Sequence, residues 1–152
     1  METITCDRSL RLSPWFVTGF VEGDGCFTFS RTGSDVALYF ALKRPARDLV
    51  LLERIRVYFG GIGRIYVVRS RQGQGTGVGE GARYFRVSRR EGLACIVKHL
   101  DRYPLQGAKR EVYRIWREMA RIKRTHFRSP PRERLENLAE ELSAASRGSV
   151  PR

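Results

Sequence analysis

Apolar and polar residues alternate along Cys26-Phe27-Thr28-Phe29-Ser30-Arg31 with the two-residue period of a half-buried strand. Thr32-Gly33-Ser34-Asp35 has turn chemistry, and Val36 to Lys43 repeats the strand pattern, so the pair predicts a β-hairpin. A second pair of strands is expected at Arg64–Arg69 and Arg83–Ser88, joined by a glycine-rich loop from Gln72 to Gly81. Helical spacing governs the rest. Ser13-Pro14 is an N-cap followed by a first-turn proline, which predicts a helix from Pro14 to Asp24 closed by Gly25. Apolar residues at Leu49, Leu52, Ile55, Val57 and Phe59 predict an amphipathic helix ended by Gly60-Gly61. Helices are also expected at about Glu91–Leu100, Ala108–Lys123 and from the Ser129-Pro130-Pro131 break to about Ala145. The order α-β-β-α-β-β-α-α-α is that of an α+β domain, a four-stranded antiparallel sheet backed by helices. Residues 1–130 are expected to form the main domain, with the helix of residues 131–152 packed on it.

Charge narrows the partner. The 152 residues carry 29 Lys+Arg against 16 Asp+Glu, a net +13. Residues 131–152 hold four of each, so the whole excess lies in residues 1–130. Arginine supplies 25 of the 29 cations, and its planar fork suits bidentate contacts to phosphate and guanine. A polyanionic partner is the first expectation. The longest apolar run, Val36 to Leu42, is far short of the roughly 20 residues a membrane helix needs, so no membrane partner is expected. Residues 1–11 lack the apolar stretch of a secretory signal. Cys6, Cys26 and Cys95 show no paired spacing, which argues against a disulfide framework or zinc site and for a reducing, intracellular compartment. His99 and His126 lie outside any metal-ligand spacing and read as structural or exposed, and Trp15 and Trp116 read as core. Arg110, Arg114, Arg117, Arg121 and Arg124 recur at helical spacing, as either a phosphate-facing stripe or a solvated face.

The first helix is physically unusual. Gly19 and Gly23 lie four apart on one face, each costing roughly 1 kcal/mol relative to alanine. Close approach of another helix backbone is the usual compensation. Asp24 sits at the negative end of the helix dipole, where a carboxylate is unfavourable unless a cation joins it. This segment, Trp15-Phe16-Val17-Thr18-Gly19-Phe20-Val21-Glu22-Gly23-Asp24-Gly25-Cys26-Phe27, resembles the signature of the LAGLIDADG homing endonucleases. Phe59-Gly60-Gly61-Ile62-Gly63-Arg64-Ile65 resembles that family's helix-to-strand junction, and Tyr103-Pro104-Leu105-Gln106-Gly107-Ala108-Lys109 its segment carrying a basic residue to the cleavage centre.

The resemblance implies a site-specific, double-strand DNA endonuclease that is intron-encoded, works at a long, roughly palindromic site and leaves 3′ overhangs. It implies Asp24 as ligand of Mg2+ (with Mn2+ or Ca2+ substituting in binding) and Lys109 as a catalytic cation. Arg44 stands where the family tends to place a water-positioning polar residue; a guanidinium stays protonated and cannot be a general base. With one motif per chain, a second subunit must bring the second aspartate, so Gly19, Phe20 and Gly23 would line a homodimer interface. Strand alternation puts Phe27, Phe29, Val36, Leu38, Phe40, Leu42, Ile65, Val67, Phe85 and Val87 on the core side. The opposite face carries Thr28, Ser30, Tyr39, Ala41, Arg64, Tyr66, Tyr84, Arg86 and Ser88, a set suited to major-groove contacts, with Arg69 and Arg71 added on the backbone. No small-molecule substrate is implied, and the location would be a prokaryotic cytoplasm or an organelle interior. Two other readings stay open: an RNA-splicing maturase on the same fold, and a non-catalytic nucleic-acid-binding protein.

Overall fold

The computed structural model describes residues 11–68 and 81–148. Helix α1 (Pro14–Asp24) leads into the hairpin β1 (Gly25–Thr32) and β2 (Asp35–Arg44), whose turn holds Gly33 at a φ of 63°. A 3-10 turn at Ala46–Asp48 opens α2 (Leu49–Tyr58). Strands β3 (Arg64–Val68) and β4 (Ala82–Val87) follow, then α3 (Arg90–Arg102), α4 (Lys109–Thr125) and α5 (Arg132–Gly148). The four strands form one antiparallel sheet in the order β1-β2-β4-β3. The expected α+β architecture and element order are therefore what the chain adopts. Arg69, Arg71 and most of the glycine-rich loop lie outside the described residues.

One face of the sheet is buried beneath the helices. Phe27, Phe40, Leu42, Phe85 and Val87 are all but inaccessible and pack with Leu52, Ile55, Ile96, Leu100, Trp116 and Met119. The rings of Phe27, Phe40, Tyr113 and Trp116 form a tilted cluster with Phe27 5.2–5.3 Å from the other three. Helix α5 contributes Leu135, Leu138, Ala139 and Leu142 to the same core. Gly63, at a φ of 71°, lets the chain enter β3 where a Cβ would come within 2.6 Å of the Arg86 carbonyl oxygen.

Three burial expectations fail, each for a geometric reason. Val67 has the parity of the helical side but is 60% exposed, near the end of the edge strand β3. Ala41 has the parity of the open face yet is buried, its small side chain screened within a central strand between Cys26 and Arg86. Trp15, expected in the core, is 54% exposed and meets only one side of the molecule, its ring edge-on to Tyr103 at 5.3 Å.

Candidate active site and nucleic-acid interface

Helix α1 buries a narrow stripe, Val17, Thr18 and Val21, and leaves its remaining apolar surface open. Phe16 is 46% exposed, and a Cβ on Gly19 or Gly23 would meet nothing within 4 Å. The glycine face of α1 is therefore bare, and nothing among the described residues packs against it. Phe20 sits half-buried beside the same face.

The buried stripe is fixed by polar contacts that sequence inspection did not anticipate. Thr18 Oγ1 donates to the Tyr103 carbonyl at 2.8 Å and accepts from His99 Nε2 at 3.0 Å, while Tyr58 hydroxyl donates to His99 Nδ1 at 3.1 Å. This satisfies both ring nitrogens with the imidazole neutral. Burial pushes the His99 pKa down to about 4, so it stays neutral. His99 is thus structural, as expected for a histidine without metal-ligand spacing, and it pins α1 to α2, α3 and the segment before α4.

Glu22 has a related task. Its Oε1 accepts from the backbone N–H of Gln106 at 2.9 Å and from that of Gly107. The second oxygen, Oε2, is buried and has no hydrogen-bond partner among the described residues. Gly107 gives the carboxylate room, since a Cβ would lie 2.9 Å from Glu22 Oε1 and push it aside. The tie places Lys109, the first residue of α4, against the end of α1, where Nζ donates to the Val21 carbonyl at 3.2 Å. Burial lowers the Lys109 pKa, opposed by the charges of Glu22, Cys26 and Asp24. The same Val21 carbonyl receives the N–H of Gly25, whose missing side chain lets the chain turn directly from α1 into β1.

Asp24 closes α1 with its side chain 37% exposed. Arg44, from the end of β2, donates from Nη1 to Asp24 Oδ2 at 3.1 Å. Its Nε and Nη2 donate to Asp48 Oδ2 at 2.8 and 2.5 Å, and its guanidinium lies 5.6 Å from the Phe20 ring centre. Asp24, Arg44 and Lys109, taken from three separate segments of sequence, are therefore brought together around the end of α1. Asp48 belongs with them and was missed. Its only sequence signal is the opposite charge four residues from Arg44, which carries little weight outside a helix.

The residues suit a divalent cation of the magnesium type. Among the described residues no three metal-ligating side chains converge, so a closed protein cage is absent. A hard cation that keeps most of its waters and takes one or two carboxylates matches a single, partly exposed aspartate.

Beyond Asp24 the open sheet face carries Thr28, Ser30, Tyr39, Tyr84, Arg86, Arg64 and Tyr66 in adjacent registers, with Thr28 opposite Tyr39, Arg64 opposite Arg86 and Tyr66 opposite Tyr84. Ser88 follows β4 and is exposed. Arg86 stacks on Tyr39 with its guanidinium carbon 3.8 Å from the ring centre. Burial, reinforced by a hydrogen bond with Tyr39, raises the Tyr84 pKa to about 12. Lys43, cross-strand from Tyr84, lies on the same face and had not been singled out. The arginine stripe of α4 is largely spoken for: Arg114 pairs with Glu111, Arg117 with Asp101 and Arg121 with Glu118.

A family model described as LAGLIDADG endonuclease matches residues 17–120, from α1 into α4. An uncharacterized 50.9 kDa protein in ND4 intron 1 of Podospora anserina is 36% identical over 116 residues, covering 70% of this chain and 23% of that protein. Probable intron-encoded endonuclease 3 of Neurospora crassa is 26% identical over 125 residues, 78% of this chain and 22% of that protein. The chain spans less than a quarter of the length of these two relatives. Among solved structures, I-SmaMI bound to an uncleaved DNA target in the presence of calcium ions superposes with a TM-score of 0.70 at 27% identity, over 93% of this chain and 51% of that one. With the glycine-faced helix, its terminal aspartate and the sheet in the matching order, the chain belongs to the LAGLIDADG endonuclease family.

Proposed function

We propose that the chain is a site-specific DNA endonuclease that hydrolyses phosphodiester bonds when two copies meet through α1. The observation that carries this reading is the open glycine face of α1 ending in an accessible Asp24. A helix face with exposed apolar surface and no side chains at Gly19 and Gly23 is the kind of surface that marks close packing with another backbone. A second copy supplies one and, by twofold symmetry, brings a second Asp24 to the same place. Two open sheets then extend to either side, their arginines and tyrosines set for the major groove of a long, roughly palindromic duplex.

Asp24 would hold Mg2+, with Mn2+ or Ca2+ able to occupy the place. Such an ion supplies charge neutralisation at the phosphate and a water of lowered pKa. This chain's own contributions are distinct. Asp24 fixes where the cation sits, and Lys109 sets a second positive charge beside the end of α1, oriented by the Val21 carbonyl. Glu22 holds the Lys109 segment in place through Gln106 and Gly107. Cleavage at two symmetry-related centres across the minor groove leaves 3′ overhangs. The relatives named for introns support an intron-encoded origin and a location in an organelle interior.

Incubation of the full chain with a randomised duplex library, with and without Mg2+, tests the reading. Metal-dependent selection of a discrete set of cut sites is expected, and Asp24→Asn should abolish cutting while leaving DNA binding intact. Wild-type cleavage by Asp24→Asn would remove Asp24 from the metal site.

A further inference from the structure

Asp48 occupies the N-cap position of α2, where a carboxylate ordinarily accepts from the free N–H groups of the first turn. It makes no such bond. Its Oδ2 is committed to Arg44, receiving Nε at 2.8 Å and Nη2 at 2.5 Å. Both donors share one acceptor, so the contact takes up the Nε–Nη2 edge of the guanidinium and leaves Nη1 to donate to Asp24 Oδ2 at 3.1 Å. The Phe20 ring stands 5.6 Å away on the remaining side, so α1, β2 and the start of α2 all act on this one group. Asp48 ends the 3-10 turn that runs directly into α2, so its carboxylate is spent on Arg44 rather than on the helix, at a partly exposed site where such an ion pair by itself contributes little stability.

We propose that Asp48 is a positioning residue which, through Arg44, sets the divalent-cation affinity of Asp24. The proposal rests on the reading of Asp24 as the metal-holding residue. A guanidinium and a divalent cation compete for the same oxygen, because both need it as an electron-pair donor and repel each other at contact distance. Held by Asp48, Arg44 acts as a resident counter-cation that keeps Asp24 neutralised while no duplex is bound. A phosphate entering the site offers the guanidinium a bidentate partner of its own, releasing the Asp24 oxygen. Cation loading is thereby coupled to the presence of DNA. The arrangement also explains why an arginine, useless as a general base, stands at this position.

The test is Mn2+ binding to the DNA-free full-length protein, followed by water-proton relaxation. Arg44→Gln should bind Mn2+ at least tenfold more tightly than wild type, and the gain should vanish when Asp24→Asn is added. Asp48→Ala should shift affinity in the same direction by a smaller factor, as the guanidinium loses its grip and turns to solvent. If Asp48 served only the fold, Asp48→Ala would lower Tm and leave Mn2+ affinity unchanged, and the proposal would be wrong. Equal affinities for wild type and Arg44→Gln would also overturn it. Failure of the library cleavage experiment would instead count against the endonuclease reading, without altering the Mn2+ comparison.

Discussion

Lys109 feels two opposed influences: burial against α1 favours its neutral form, while Glu22, Cys26 and Asp24 favour its charged one. Burial dominates, so the ammonium loses its proton below the ordinary lysine value of 10.5. If the charge assists cleavage, activity should fall as pH rises through that lowered pKa. Lys109→Met should cost roughly 10²-fold in kcat, the scale of one well-placed electrostatic contact, and Lys109→Arg should move the alkaline limb upward. A pH–rate profile on a defined cut site checks both. The residues of this centre differ in how far the sequence betrays them. Asp24 is legible because its oddity is local, an acid at the wrong end of a helix dipole. Asp48 is not, since its importance depends on β2 ending beside α1. Thr18 and His99 are farther out of reach, lying 81 positions apart and meeting only after the fold is complete.

At the scale of elements, α1 shows why hydrophobic pattern and burial part company. Its apolar residues were readable as a packed helix, and packed it is, but only along Val17, Thr18 and Val21. Trp15 reads as core from sequence because hydrophobicity alone does not distinguish an interior residue from an exposed one. Val67 shows the complementary error: strand alternation reports which side a residue faces, not whether a helix covers it. The open face of α1 predicts an uncommon mutational phenotype. A Cβ at Gly19 or Gly23 meets nothing within 4 Å among the described residues. Gly19→Ala or Gly23→Ala therefore improves helix propensity, and Tm of the isolated protomer should hold or rise slightly. The same should hold for the bulkier Gly19→Leu and Gly23→Leu, which block the face. Association should be lost together with cleavage. Sedimentation alongside thermal unfolding separates the two effects, and a large drop in Tm would mean that the glycines pack inside the protomer after all.

Across the whole molecule, element order was legible because the switch between two-residue and helical periods is sharp at Gly25 and Gly60-Gly61. The joining of the layers was not, and here His99 is central. From α3 it bonds Thr18 of α1 and Tyr58 of α2 while remaining neutral, and Thr18 in turn donates to the Tyr103 carbonyl. Its pKa is about 4 in the fold against 6.5 when free, so between these values the unfolded chain binds more protons. Stability should therefore decline as pH falls from 6.5 towards 4, by up to about 3 kcal/mol, and be insensitive to this group above 6.5. Denaturant melts across that range, repeated with His99→Gln, isolate its share, since the variant should lose that part of the acid slope. The bare spine of α1 has one more consequence. If two copies meet through α1 as proposed, a centre assembled from separate chains would dissolve on dilution, whereas two copies strung on one flexible tether would face each other at millimolar effective concentration. Such a tandem would no longer have to be identical in its halves, and each sheet could be tuned to a different sequence, freeing the target from palindromy.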